Sequence, residues 1–398
     1  MIQHIFKLIW NRRRSLAWIF VEQILVFGVI LLYFIFFANH LSRHFSEGNM
    51  RIENMSFISF SSIQRINQTE EEKVADNAKF HNLLEHARTW QTVDLVSFNR
   101  MGAIPVMADS RNDSIDFRGN RYLANIRFCD ENYYRMFAPR LSAGEWFRDA
   151  DAYSDMPSAV VTQHLAERLE MTGNIIGQTV EFRGITYRIT GVVSAFKART
   201  QGRQEASLFL PSSNAPNNDW WLWQYVVKHK PGMKADFSKA LIEEFYRNFP
   251  RELYQPTIMD FDKMSENAIF MSSYFILYFT GLPTAFLLIF AFMGTFGVVW
   301  MQSKKRMDEF GLRIALGSTP NKLMLTVIIE NLILTTIAML PGLIVVALLY
   351  AYSPEGGEWP AAIGAAVVTM WLFSVISAWY PARKAAKVQP VEALKAGQ

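Results

Sequence analysis

Four long apolar runs constrain this chain more than any other feature. The first, residues 16–37, reads LAWIFVEQILVFGVILLYFIFF, and three more occupy 268–301, 323–350 and 361–380. A hydrocarbon core of roughly 30 Å needs about 20 apolar residues per helix, and every run meets that length. Between the first two runs lies a long, mostly polar stretch, 39–267, with no span of its own. The expected fold class is membrane α-helical, with four transmembrane helices and a large extracytoplasmic α+β domain inserted between helices 1 and 2.

Basic residues in short loops set the orientation. Lys7 and Arg12–Arg14 precede the first run, Lys304, Lys305, Arg306, Arg313 and Lys322 follow the second, and Arg383, Lys384, Lys387 and Lys395 follow the fourth. The loop SPEGGEWP between the third and fourth runs carries Glu355 and Glu358 but no Lys or Arg. Both termini and the second-to-third loop are therefore expected in the cytoplasm, with the large domain outside. The net charge of +4 follows from this distribution, with membrane lipid as the implied partner and no nucleic acid required. The first run is longer than a signal-peptide core of about 7–15 residues and lacks a small-x-small cleavage site. It is expected to be retained as an anchor. One cysteine, Cys129, leaves no intrachain disulfide to hold the outer domain together.

Along the chain, MIQHIFKLIW puts Ile2, Ile5, Phe6 and Ile9 on one helical face, so 1–15 reads as a cytoplasmic amphipathic helix leading into a first span at 16–38. The outer domain alternates strand and helix signals. Strand-helix-strand units at 39–115 and 223–267 form a porter-like part, and 116–222 reads as an inserted subdomain containing a hairpin around Arg183-Gly184. The second span with its stalk is read over 268–301. As one helix it would reach about 50 Å at 1.5 Å per residue, with Gly281 and Pro283 as candidate kink positions. The loop 302–322, the spans 323–350 and 361–380 and a cytoplasmic tail 381–398 complete the order.

The loop KKRMDEFGLRIALGSTPNKL is charged, helical in rhythm and punctuated at its end. Met307, Phe310, Gly311 and Ile314 form one apolar stripe, while Leu312 and Leu316 point elsewhere. Gly317 suits a helix C-cap, and Thr319-Pro320 suits the start of the next helix. The loop is expected to be a short helix with two distinct faces.

Other constellations carry less. His40 and His44 are four apart without a third ligand, and His81, Glu85 and His86 lack the spacing of a zinc motif. Glu22 and Glu330 are carboxylates within apolar runs, where such groups are costly and are often functional. Glu330 is expected to share a polar contact with Asn331. Trp10, Trp18, Trp300, Trp359 and Tyr380 read as interfacial belts. No catalytic, cofactor-binding or metal-binding residue is assigned.

KRMDEFGLRIALGSTPNKLMLTVIIEN and the terminal YPARKAAKVQPVEALKAG resemble the MacB/FtsX-like permeases of ABC transporters. PSAVVTQHLAERL and IIGQTVEFRGITYRITGVV resemble the MacB-type periplasmic core domain. Gln389, where the family often has Asp or Asn, departs from the pattern. The resemblance implies a multi-pass protein of the cell inner membrane with its large domain in the periplasm. It assigns Glu309, Phe310, Gly311, Leu312, Arg313, Leu316 and Gly317 to a helix that couples to a cytoplasmic ABC ATPase. Because the chain contains no G-x-x-x-x-G-K-[ST], it is expected not to be an enzyme, with ATP and Mg on a separate ATPase subunit. The resemblance further implies a permease homodimer or heterodimer of the mechanotransmission type, with a periplasmic adaptor and an outer-membrane channel as further candidate partners. Export or efflux is the favoured work; lipoprotein extraction or activation of an external hydrolase are alternatives, and a signalling receptor is the rival from another class.

Overall fold

The computed structural model describes residues 13–48, 50–63, 69–100, 102–106, 112–169, 175–199, 202–215, 223–352 and 359–386. Two compact units divide the chain: Arg43–Ser272, and a second made of Met1–Ser42 with Ser273–Gln398. The expected amphipathic helix before residue 13, the loop glutamates 355 and 358, and Gln389 lie outside the described residues. Helix α1 (Arg13–Phe45) runs past the expected end of the first span at 38, because HLSRHF contains no breaker. Gly48, at φ +108°, is the first residue that favours leaving a helix.

The outer unit starts with β1 (Met55–Ser62), α2 (Glu70–Ala87) and β2 (Val93–Arg100). The insert then contains β3 (Asn112–Phe117), β4 (Asn120–Cys129), α3 (Asn132–Phe137), β5 (Leu141–Gly144), β6 (Ser158–Thr162), α4 (Gln163–Arg168), β7 (Thr179–Phe182), β8 (Ile185–Val193) and β9 (Ser207–Pro211). The unit closes with β10 (Trp223–His229), α5 (Lys234–Asn248) and β11 (Tyr254–Asp260). Strands of the first and last groups form one antiparallel sheet in the order β11-β1-β10-β2, a βαββαβ arrangement with the insert between its second and third strands.

Both faces of that sheet are buried. Ile58, Val96, Phe98 and Val227 meet Phe80, Leu84, Phe237, Leu241 and Phe245 of α2 and α5. On the other face, Met55, Phe57 and Val226 pack with Tyr133, Phe137 and Phe209 of the insert. A reciprocal capping box at Thr69 and Glu72 starts α2.

The insert forms a sheet in the order β5-β8-β6-β9-β4-β3-β7, and β7 also pairs with β8, so six of its strands close on themselves. Ile126, Phe128, Val161, Phe182, Tyr187, Ile189 and Leu208 fill the interior. Arg183 (φ 51°) and Gly184 (φ 81°) make the β7–β8 turn, two left-handed positions in succession as a tight hairpin requires. Because β3 begins at Asn112 and pairs with β4, the boundary expected at 115/116 falls inside a strand of the insert.

The region expected as one second-span helix from 268 is three consecutive elements. Helix α6 (Phe261–Ile269) is followed by a π-helical turn, Phe270–Tyr274, and then by α7 (Phe275–Lys305). A π turn holds one extra residue per turn relative to an α-helix. Helices α8 (Met307–Ala315), α9 (Pro320–Tyr352) and α10 (Trp359–Ala386) follow. The stretches Ile19–Phe45, Phe275–Lys305, Pro320–Tyr352 and Trp359–Ala386 are each long and apolar enough to cross a membrane. The fourth helix continues past 380 into what was expected as tail, since Ala382, Ala385 and Ala386 are buried against Phe310, Leu323 and Val327.

Helix α1 packs through glycines. An added Cβ at Gly281 would lie 3.2 Å from the Tyr33 ring, and one at Gly342 would lie 2.9 Å from Phe27. At Gly294 it would lie 2.5 Å from a Glu22 carboxylate oxygen. Small residues let membrane helices approach closely where no water drives association. Between α9 and α10 a polar cluster sits within the apolar contact. The Asn331 amide donates to the Ser374 carbonyl (3.0 Å) and hydroxyl (2.8 Å), and Thr335 Oγ1 stands 3.0 Å from the same hydroxyl.

Candidate functional site

The loop between the second and third candidate spans is built by two terminations. Helix α7 ends at Lys305, Arg306 leaves helical geometry at φ −106° and ψ 11°, and α8 begins one residue later. Helix α8 ends in a Schellman arrangement: Gly317 N donates to the Ile314 carbonyl (2.9 Å) and Ser318 N to that of Arg313 (2.9 Å). Gly317 adopts φ +96°, a conformation that a side chain would strain. Pro320 opens α9, where its missing N–H costs nothing.

The two faces of α8 differ sharply. Phe310 is 1% exposed and Gly311 is buried, with Phe310 packed among Val299, Leu323, Val327 and Ala382 and with half-buried Ile314 beside it. Leu312 is 60% exposed and Leu316 is 79% exposed. Removing large apolar side chains from water is worth roughly 25 cal/mol per Å², so a pair left exposed at the end of a rigidly capped helix is a surface open to burial by a partner.

Electrostatics fixes which face turns inward. Arg306 is 6% exposed; its Nη1 and Nη2 donate to the two carboxylate oxygens of Glu330 on α9 (2.5 and 3.3 Å). Its Nε donates to Glu309 (3.0 Å), whose other oxygen accepts from Arg313 (2.6 Å). Burial alone would lower the Arg306 pKa, but Glu330 and Glu309 outweigh it and the net shift is upward. A bidentate guanidinium–carboxylate pair imposes direction as well as attraction, so this pair sets the angle of α8 against α9.

Several sequence-derived residues are placed differently from expectation. Glu330 and Asn331 do not share a contact: Glu330 turns to Arg306, Asn331 to Ser374 on α10. Glu309 belongs to an ion network within the chain. The Glu22 carboxylate lies against Gly294 on α7 of the same chain. Among the described residues no three His, Cys, Asp or Glu side chains gather as metal ligands. Arg306 was missed as a site residue, although its i,i+3 relation to Glu309 was visible.

Two family models match. A MacB-like periplasmic core domain covers residues 25–244, more than half of the chain, and an FtsX-like permease C-terminal model covers 282–390. The chain belongs to the MacB/FtsX-like family of ABC transporter permeases. Among relatives of this permease, the uncharacterized ABC transporter permease YvrN of Bacillus subtilis is 23% identical over 298 residues, covering 69% of this chain and 72% of that protein. The macrolide export ATP-binding/permease protein MacB of Campylobacter jejuni is 24% identical over 277 residues. That alignment covers 66% of this permease but 43% of MacB, so the chain spans less than half of that relative. The periplasmic region of MacB from Actinobacillus actinomycetemcomitans aligns at a TM-score of 0.39 and 16% identity, over 54% of this chain and 92% of that one.

Proposed function

We propose that this permease is the membrane subunit of a mechanotransmission-type ABC transporter, with α8 as the helix that receives force from a separate cytoplasmic ATPase. The observation that carries the reading is the asymmetry of α8: Phe310 buried, Arg306 bound to Glu330, Leu312 and Leu316 exposed. The ion pair fixes the inner face of α8 and leaves the two leucines as the face a partner surface would cover. In this reading both termini and α8 face the cytoplasm, ATP and Mg belong to the partner, and a second permease completes a dimer. ATP-driven closure displaces α8, and α7 conveys the displacement toward the extracytoplasmic domain. Export is the work that the likeness to MacB supports, with adaptor and outer-membrane channel as further partners.

The test is co-purification from native membrane with paired variants. Leu316→Asp should remove the ATPase while leaving permease yield unchanged. Loss of a central interface leucine costs about 2 kcal/mol or more, roughly 30-fold in affinity. Phe310→Asp should instead lower the amount of folded permease. Retention of a full complement of ATPase by Leu316→Asp contradicts the proposal.

A further inference from the structure

At the end of the membrane unit that carries α8, a shallow hollow of about 50 Å³, open to the surface, lies between α7, α8 and α10. Trp300, Met307, Pro381 and Ala385 give it apolar walls, and Lys304 and Lys384 stand at its rim. Both ammonium groups approach one indole ring: Lys384 Nζ lies 4.7 Å and Lys304 Nζ 5.7 Å from the Trp300 centroid. Tyr380 stacks on the same ring at 5.9 Å, with the planes 7° apart, and fixes its orientation. Among the described residues neither lysine has a carboxylate within ion-pair distance, and the nearby Glu309 and Glu330 are taken by Arg306 and Arg313.

From this geometry we infer that the hollow binds an anionic phospholipid, its phosphate between Lys304 and Lys384 and the start of an acyl chain along Trp300, Met307 and Pro381. Two ammonium groups beside one aromatic ring make a positive patch that an anion complements. The walls beneath them are apolar, which free phosphate could not use. The site also lies where membrane helices end, the depth at which headgroups sit and at which aromatic and basic side chains gather. Trp300 and Tyr380 are therefore more than an interfacial belt: their stack is the floor of a headgroup site. Placing the lipid in the cytoplasmic leaflet rests on the orientation proposed above; the site itself does not. Because Met307 opens α8, an occupied hollow would brace the root of the coupling helix.

The test uses the full chain in nanodiscs of mixed phosphatidylcholine and phosphatidylglycerol, released for native mass spectrometry. Wild type should retain phosphatidylglycerol in preference to phosphatidylcholine. Each lysine should contribute about fivefold and the pair roughly 25-fold, so Lys304→Gln/Lys384→Gln should abolish the preference. Lys304→Arg/Lys384→Arg should keep it, and equal thermal melting of all three proteins controls for folding. A photoreactive phosphatidylglycerol should label Trp300 or Met307, and millimolar inorganic phosphate should not compete. Unchanged lipid retention in the glutamine variant overturns the proposal, as does competition by phosphate. So does a crosslink to another protein from a photoreactive residue placed at 384. ATPase co-purification measured on the same variants separates failure of this site from failure of the coupling reading.

Discussion

Arg127 in the outer domain and Arg306 beside α8 are both buried guanidiniums with acidic partners, yet they are used in opposite ways. Arg127 is fully buried on β4, where it bonds Ser207 Oγ, the Gly102 carbonyl and Glu205 and lies over the Phe196 ring. Its partner Ser207 opens β9, the strand parallel to its own, and Glu205 lies two residues before it, so the charge locks a closed sheet to itself. Arg306 instead joins two separate helices at the membrane boundary, and its second partner, Glu309, is shared with Arg313. The first charge is part of a core. The second is a joint between a presented helix and the span behind it. Both guanidiniums are buried; what moves when each is removed differs.

The largest expected effect of breaking this contrast is at Arg127. Arg127→Ala leaves Glu205 without its cation and should cost about 3–5 kcal/mol of stability. It should show as loss of folded permease or a strongly lowered melting temperature. Arg306→Ala strips the cation from Glu330 in the same way, at a cost of the same order, about 3–5 kcal/mol, but the loss should be local. Proteolysis next to Lys304 and Lys305 should accelerate while the outer domain stays resistant. Equal proteolytic sensitivity in both regions would erase the distinction drawn here.

A smaller, pH-dependent effect separates the outer domain further. Asp130 accepts from Ser97 Oγ (2.6 Å), Phe98 N (2.8 Å) and Tyr133 N (3.0 Å), tying α3 to β2. Burial pushes its carboxyl up to about 7 against the pull of Ser97 and Phe98. A folded pKa raised above the unfolded value means that the native state holds the extra proton. Stability therefore falls as pH rises from about 4 to about 7, by at most about 1.4 kcal/mol per pH unit. Asp130→Asn should flatten the unfolding curve of the outer domain across that window, whatever it does to absolute stability. An unaltered slope would mean that Asp130 is ionised throughout.

How much of this could be read beforehand depended on the range of the forces. The four apolar runs, the Arg183-Gly184 turn and the Gly317 termination are local, and each was legible from residues within a few positions. Helix ends were read less well. The first helix was expected to stop near 38 and the fourth at 380, because polar residues follow. Packing extends the fourth, where Ala382, Ala385 and Ala386 find a buried face that hydropathy alone does not report; the first continues because nothing in HLSRHF breaks it. Long-range pairing was not legible. Arg306 looked like one more charge in a basic run, since its partner Glu330 is 24 residues away on another helix. Glu330 looked like a lone carboxylate in a span for the same reason. Closure of the insert was hidden too, because it depends on the parallel pairs β4–β9 and β6–β8.

The central claim is that one face of α8 belongs to the permease and the other to an ATPase. The most direct measurement is site-specific photocrosslinking in native membrane, with a photoreactive residue placed in turn at 310, 312 and 316. The account predicts that positions 312 and 316 crosslink to a nucleotide-binding subunit, with a yield that changes when ATP is added. Position 310 should give only crosslinks within the permease. An ATPase crosslink from 310 with none from 312 or 316 would contradict it, and so would lipid adducts alone at all three positions.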